Sequence, residues 1–140
     1  MKTIIFKLTL GAALVAAAVS ARALEGAVVI AGQGVPVSSL TEEALKNIYL
    51  GRTKYWDNGQ AIVIIVLPDQ TDAALQQVSG MDGSLFKTYW QRLAFSGRGQ
   101  IPKRASDAAA LVSLVASTKD AIALAPTDAA LNGVRKIEIK

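Results

Sequence analysis

The chain has 140 residues, with 15 lysines and arginines against 11 aspartates and glutamates, and a formal net charge of +4. It contains neither cysteine nor histidine. The composition therefore excludes disulfides, triads built on Ser-His or Cys-His pairs, and zinc sites of the usual kinds. The remaining carboxylates, lysines and serines form no motif with catalytic spacing, so we expect no catalytic residue, no metal and no cofactor.

The first 23 residues have the pattern of a secretory signal peptide. Lys2 and Lys7 precede an apolar run over residues 8–19, and small residues follow at Ala21 and Ala23. The apolar run is shorter than the roughly 20 residues that a membrane-spanning helix needs. We expect cleavage after Ala23, or alternatively after Ala21, and a periplasmic or secreted protein without a membrane span once the signal is removed.

Cleavage after Ala23 leaves residues 24–140, a length of 117 residues that suits one domain with a single core. The removed segment carries three basic residues and no acidic residue, so the net charge falls from +4 to +1. This balance gives no general attraction to nucleic acid, and we expect no nucleic-acid partner. Because the chain has no cysteine to carry a lipid, we do not expect a lipoprotein.

Short apolar runs alternate with helical patterns along residues 24–140. The runs that predict strands are Ala27–Ala31, Ala61–Leu67, Ala121–Ala125 and a closing run from Val134 to Ile139. The middle run is apolar throughout, which is typical of a strand covered on both faces. Charged residues interrupt the closing run, so we place it at a sheet edge.

Capping residues mark the predicted helices. Thr41 starts the first helix and Gly51 follows its end, while Gly80 ends the second. The third begins at Asp82 or Ser84, and the fourth begins at Ser106 or Asp107. The alternation of strands and helices predicts an α/β domain with a mixed, mostly parallel sheet of about four strands flanked by helices.

Residues 40–60, LTEEALKNIYLGRTKYWDNGQ, contain the most specific pattern. A helix ends on Ile48-Tyr49-Leu50-Gly51, and Trp56-Asp57-Asn58-Gly59 forms a turn before the long apolar run. This order resembles the phosphate ABC transporter substrate-binding protein family, in which an "IF-x-G" helix end and a "W-x-D-G" turn precede a strand. The chain is similar to short, single-domain members of that family. The resemblance implies a type-2 periplasmic binding protein-like fold over residues 24–140.

The same resemblance implies a non-enzymatic protein that binds a small inorganic anion, with phosphate expected, and supports uptake or sensing with a membrane transporter or sensor. Members of that family bind phosphate through a Ser-Gly-Thr loop that follows the long strand. Here Asp69-Gln70-Thr71 stands at that place, so Thr71 is the candidate that remains.

Two other places are candidate anion sites. Ser96, Gly97 and Arg98 lie in a basic, glycine-rich loop that offers a hydroxyl, backbone amides and a guanidinium. A solvated loop with Arg98 bonded to the protein itself is the alternative. Ser39 and Thr41 stand at a helix start, where they could bind an anion or cap the helix.

A protein-interaction module without a ligand is the alternative function. A single lobe of a two-lobed fold leaves its former cleft face exposed, and an exposed apolar face is usually covered by a partner. Tyr49, Tyr55 and Trp56 are the candidates for that face. Trp56 has a second interpretation, in which it covers the edge of the core next to its turn.

Overall fold

A computed structural model describes residues 24–140, and the predicted signal peptide lies outside the described residues. One six-stranded mixed sheet carries helices on both faces, which confirms the predicted α/β class. The strands are β1 (Ala27–Ala31), β2 (Ser39–Leu40), β3 (Val63–Val66), β4 (Lys103–Arg104), β5 (Ala121–Pro126) and β6 (Arg135–Ile139). The helices are α1 (Glu42–Tyr49), α2 (Asp72–Ser79), α3 (Gly83–Phe95) and α4 (Ala108–Ser117).

The strand order across the sheet is β2-β6-β1-β5-β3-β4. Strand β3 runs parallel to β4 and β5, and β2 runs parallel to β6, whereas β1 is antiparallel to both of its neighbours. Four strands have four or more residues, and the edge strands β2 and β4 have two each. The parallel group β4-β3-β5 therefore ends its three strands on one side of the sheet.

The central strands are covered on both faces, as the continuous apolar run in β3 predicts. Ile64 packs into the layer formed with α1, α2 and α3, while its neighbour Ile65 packs into the layer formed with α4. Both side chains are buried because successive residues of a strand point to opposite faces. Among residues 24–140, no helix combines the length and apolar character needed to cross a membrane.

Side-chain caps fix three helix starts. The Thr41 hydroxyl accepts a hydrogen bond from the amide of Ala44 at 3.0 Å. Asp82 and Asp107, rather than the neighbouring serines, cap α3 and α4 through carboxylates that accept from backbone amides. Gly80 follows α2 with a φ of 76°, so the predicted helix ends are also confirmed.

The expectation that the closing strand is an edge is wrong. Strand β6 lies between β1 and the two-residue strand β2. The amide of Glu138 donates to the Ser38 carbonyl at 3.0 Å, and the amide of Lys140 donates to the Leu40 carbonyl at 2.9 Å. The alternating charges of β6 reflect its exposed face, whereas Ile137 and Ile139 on the other face are buried.

Gly32 brings the end of β1 against the loop before β5. Its amide donates to the Ala121 carbonyl at 2.9 Å, and a Cβ at this position would lie 2.3 Å from the Thr118 carbonyl oxygen. Backbone atoms cannot move aside as a flexible side chain can. The close contact between the end of β1 and the loop before β5 therefore requires glycine at position 32.

We expect Gly32→Ala to lower the free energy of unfolding by about 3 kcal/mol or more, because the added methyl group overlaps backbone oxygen. Gly80→Ala is the matched control, since Gly80 has a positive φ but open space around its Cβ position. That variant should lose only the roughly 1–2 kcal/mol of a left-handed alanine. Urea unfolding measures both changes, and equal losses would contradict the steric argument.

Candidate functional site

A cavity of about 520 Å³ lies at the carboxyl ends of β3, β4 and β5. Val66, Arg104 and Leu124, one from each strand, line it. We call it the strand-end cavity. In α/β sheets, ligands bind in the crevice outside the carboxyl ends of the strands, and the volume lies in the range of ordinary small-molecule sites.

Two helices begin at this cavity. Thr71 precedes α2 and Asp82 precedes α3, and both residues line the strand-end cavity. The amino ends of helices favour negative charge because their first amides point outward without helical partners. Thr71 is buried, and its hydroxyl donates to the Leu67 carbonyl at 3.3 Å instead of capping α2. This predicted site residue therefore does lie beside a cavity.

The strand-end cavity carries charges of both signs. Lys87 and Arg104 are its basic residues, and Asp69, Asp72 and Asp82 are its acidic residues. Asp72 accepts a hydrogen bond from the Asp69 amide at 3.3 Å, and Asp82 caps α3. Within residues 24–140, the carboxylate of Asp69 has neither a hydrogen bond nor an ion pair. Asp69 is exposed, so its carboxylate can interact with solvent or with an occupant of the cavity.

Asp69 has a left-handed backbone with a φ of 70°, and no other non-glycine residue in positions 24–140 has a positive φ. Such conformations are costly for residues with a Cβ, and they concentrate at functional sites. Because the Asp69-Gln70-Thr71 loop contains no glycine, its composition does not predict this left-handed backbone. The Pro68-Asp69 pair was the available signal, because proline favours the turn position before a residue that tolerates this region.

The floor of the strand-end cavity is aromatic. Tyr49, Phe86 and Trp90 line it and are all buried. The Tyr49 hydroxyl has no hydrogen-bond partner within residues 24–140, and burial raises the pKa of this phenol well above its usual range. The prediction that Tyr49 belongs to an exposed interaction face is wrong, because α1 turns this side chain inward beneath α3.

Trp90 joins α3 to the end of α1. Its Nε1 donates to the Tyr49 carbonyl at 3.0 Å, and the neighbouring Tyr89 hydroxyl donates to the Leu50 carbonyl at 2.5 Å. Carbonyls at a helix end have no partner within the helix, so these two bonds satisfy them. A Cβ on Gly51 would lie 3.0 Å from the indole ring of Trp90, and one on Gly99 would lie 2.9 Å from it.

A second cavity, of about 400 Å³, lies on the other side of Trp90. Among residues 24–140, its basic residues are Lys54, Arg98 and Lys103, and no aspartate or glutamate lines it. We call it the basic cavity. Gly97 also lines it, so two of the three predicted residues in this loop, Gly97 and Arg98, border the basic cavity.

The predicted anion candidates do not form one site. Ser96 accepts a hydrogen bond from Arg98 Nε at 3.0 Å, and this loop borders the basic cavity rather than the cavity that contains Thr71. Ser39 lies in β2, at the opposite edge of the sheet from β4. Thr41 caps α1, and neither Ser39 nor Thr41 lines either cavity.

The remaining two aromatic candidates differ in exposure. Trp56 is buried, and its Nε1 donates to the Asp120 carbonyl at 3.0 Å, so the expectation of an exposed surface residue is wrong. The indole instead ties the turn after α1 to the start of β5, in agreement with its structural interpretation. Tyr55 is 63% exposed and lines the mouth of the basic cavity.

Comparison with known proteins supports the fold. The chain matches no family model, and no curated protein matches it in sequence. It is similar to a Clostridium perfringens protein assigned as a phosphate ABC transporter substrate-binding protein and solved with bound phosphate. The TM-score is 0.62 at 20% identity, over 81% of this chain and 44% of that one.

A second solved structure gives the same result. It is an ABC-type phosphate transport receptor from Vibrio cholerae, with a TM-score of 0.56 at 19% identity, over 81% of this chain and 46% of that one. The chain thus spans less than half the length of both proteins. At these identities the similarity establishes the fold, and it agrees with the predicted fold class over the part of each protein that aligns with this chain.

We expect Tyr49→Phe to raise the free energy of unfolding at neutral pH by about 1 kcal/mol, because it removes a buried hydroxyl that lacks a partner. The native state holds the phenol proton to higher pH than the unfolded state. Wild-type stability should therefore be fully present below about pH 10, the ordinary tyrosine pKa, and fall as the pH rises above it.

Urea unfolding at neutral and alkaline pH measures both effects. Tyr49→Phe should flatten the alkaline decline, whereas Tyr55→Phe, a change at an exposed tyrosine, should leave it as in the wild type. An identical alkaline decline in the Tyr49→Phe variant would show that this phenol does not control it.

Proposed function

We propose that this protein is a non-enzymatic, exported binding protein that binds a small anion, with phosphate as the first candidate. The observation that carries the proposal is the strand-end cavity, where the ends of three parallel strands meet the amino ends of α2 and α3. Both structural neighbours are named for phosphate transport, and one of them was solved with phosphate. The names of these neighbours and the shared fold support the same role here.

Arg104 is the residue we assign to direct charge pairing with the anion. It ends β4 at the rim of the cavity, where a guanidinium can donate two parallel hydrogen bonds to an oxyanion. Lys87, on the second turn of α3, adds a positive charge at the same rim. The Ser84 hydroxyl and the first amides of α2 and α3 provide further donors.

Asp69 opposes a fully ionised anion. Its carboxylate stands at the cavity without a partner in residues 24–140. A carboxylate accepts a hydrogen bond from a protonated anion oxygen but repels a bare one. We therefore infer weak binding with a preference for an anion that keeps a proton, as hydrogen phosphate does. Such a protein would support uptake or sensing with a membrane transporter or sensor.

Calorimetric titration with inorganic phosphate tests the proposal. We expect Arg104→Gln to weaken binding by roughly tenfold or more, the loss typical of a charge-assisted hydrogen bond. Asp69→Asn should strengthen binding several-fold, because it removes the repelling charge and asparagine tolerates the same backbone conformation. Lys136→Gln, an exposed change on β6, controls for net charge. Absence of binding at millimolar phosphate would overturn the proposal.

Docking on a membrane transporter, a sensor or a second copy of the chain is the second candidate function. Phe95, the last residue of α3, is 99% exposed, and Leu85 on the same helix is 58% exposed. Large apolar side chains with such exposure favour a partner surface.

We expect crosslinking in the periplasm to capture a partner and Phe95→Ser to reduce that capture, because the change removes an apolar contact. Lys136→Ser, an exposed change on β6, is the control. Light scattering that shows a monomer, together with no crosslinked partner, would contradict this second candidate.

A further inference from the structure

We propose that the basic cavity is a second binding site, separate from the strand-end cavity, for an organic anion that carries more than one negative charge and an apolar body. It lies between the loop after α1, the first residues of β3 and the loop that joins α3 to β4. The strand-end cavity lies at the other end of β3. Trp90, Ile101 and Pro102 line both cavities and form the wall between them.

The charge of the basic cavity has one sign. Lys54, Arg98 and Lys103 line it and are all exposed, and no carboxylate from the described part of the chain lines it. In residues 24–140 none of these side chains forms an ion pair. Three positive charges around one concave surface repel each other and raise the local concentration of anions. A singly charged ion would leave most of this charge without a partner.

Arg98 is held in place by its own loop. Its Nε donates to the Ser96 hydroxyl at 3.0 Å, and its amide donates to the Leu93 carbonyl at 2.9 Å. The two terminal nitrogens of the guanidinium have no partner in the described part of the chain. These two nitrogens are the atoms that can donate two parallel hydrogen bonds to one oxyanion. The hydrogen bond from Nε to Ser96 therefore orients the guanidinium and leaves its two terminal nitrogens available for an anion.

The loop that carries Arg98 lies directly on Trp90. A Cβ on Gly99 would be 2.9 Å from the indole ring, so only glycine lets the backbone pass at this distance. The Gly97 amide donates to the Ala94 carbonyl at 3.1 Å, which continues the hydrogen bonding of α3 into the loop. The loop that carries Arg98 is therefore packed against the buried ring of Trp90.

The wall below the rim is apolar. Ile62, Ile64 and the ring of Trp90 line it, and Tyr55 stands exposed at the mouth. At about 400 Å³ the cavity lies within the size range of sites for organic ligands. An inorganic ion bound at the rim would leave the half-buried Ile62 and the exposed ring of Tyr55 in contact with water, whereas an apolar or aromatic body would cover them. We therefore assign the ligand to organic anions.

Titration with phenyl phosphate tests this inference, with inorganic phosphate and phenol as comparison probes. We expect saturable phenyl phosphate binding that changes the fluorescence of Trp90, and weaker binding of each comparison probe. Arg98→Gln and Lys54→Gln should each weaken phenyl phosphate binding by roughly tenfold or more. Lys136→Gln should leave it unchanged, and thermal unfolding of each variant reports whether the fold is intact.

The outcomes separate this site from the strand-end cavity. Arg104→Gln should leave phenyl phosphate binding unchanged, because Arg104 lines only the strand-end cavity of the two. Loss of binding in Arg104→Gln but not in Arg98→Gln would overturn the inference and support the strand-end cavity. Equal affinity for inorganic phosphate, with that binding weakened by Arg98→Gln rather than by Arg104→Gln, would overturn the organic part of the ligand assignment. No saturable binding of phenyl phosphate would overturn the second site itself.

Discussion

The position of Trp90 is the constraint on which both cavities depend. The indole packs between Gly51 and Gly99, and its Nε1 bonds to the carbonyl of Tyr49 at the end of α1. One side of the ring forms part of the floor of the strand-end cavity, and the ring also forms part of the wall of the basic cavity. Because glycine stands at both contacts, α3 lies closer to the neighbouring backbone than any larger residue would permit.

The mixed sheet explains where the strand-end cavity lies. Strands β4, β3 and β5 run parallel, so their carboxyl ends and the helices that follow β3 meet on one side. Strand β1 is antiparallel to β5, which ends the parallel group. The two cavities then occupy opposite ends of β3, with mixed charge at its carboxyl end and only positive charge at its start.

The proposed anion role therefore has two possible locations with different chemistry. In the strand-end cavity, the amino ends of α2 and α3 favour an anion, while Asp69 limits which protonation state fits. In the basic cavity, Lys54, Arg98 and Lys103 favour multiple negative charges, and the apolar wall favours an organic body. The structural neighbours are more than twice the length of the part they share with this chain.

The sequence by itself determined the local structure: caps at Thr41 and Gly80, the two-face burial of β3, and the α/β class, because these depend on short-range spacing and propensity. It also singled out Thr71 and Arg98 as polar residues in loops. Only the tertiary structure decided that these two border different cavities and that Tyr49 and Trp56 are buried. It also placed β6 inside the sheet. Such outcomes depend on contacts between distant segments, here the packing of α3 on α1 and the pairing of β2 with β6, which no local pattern encodes.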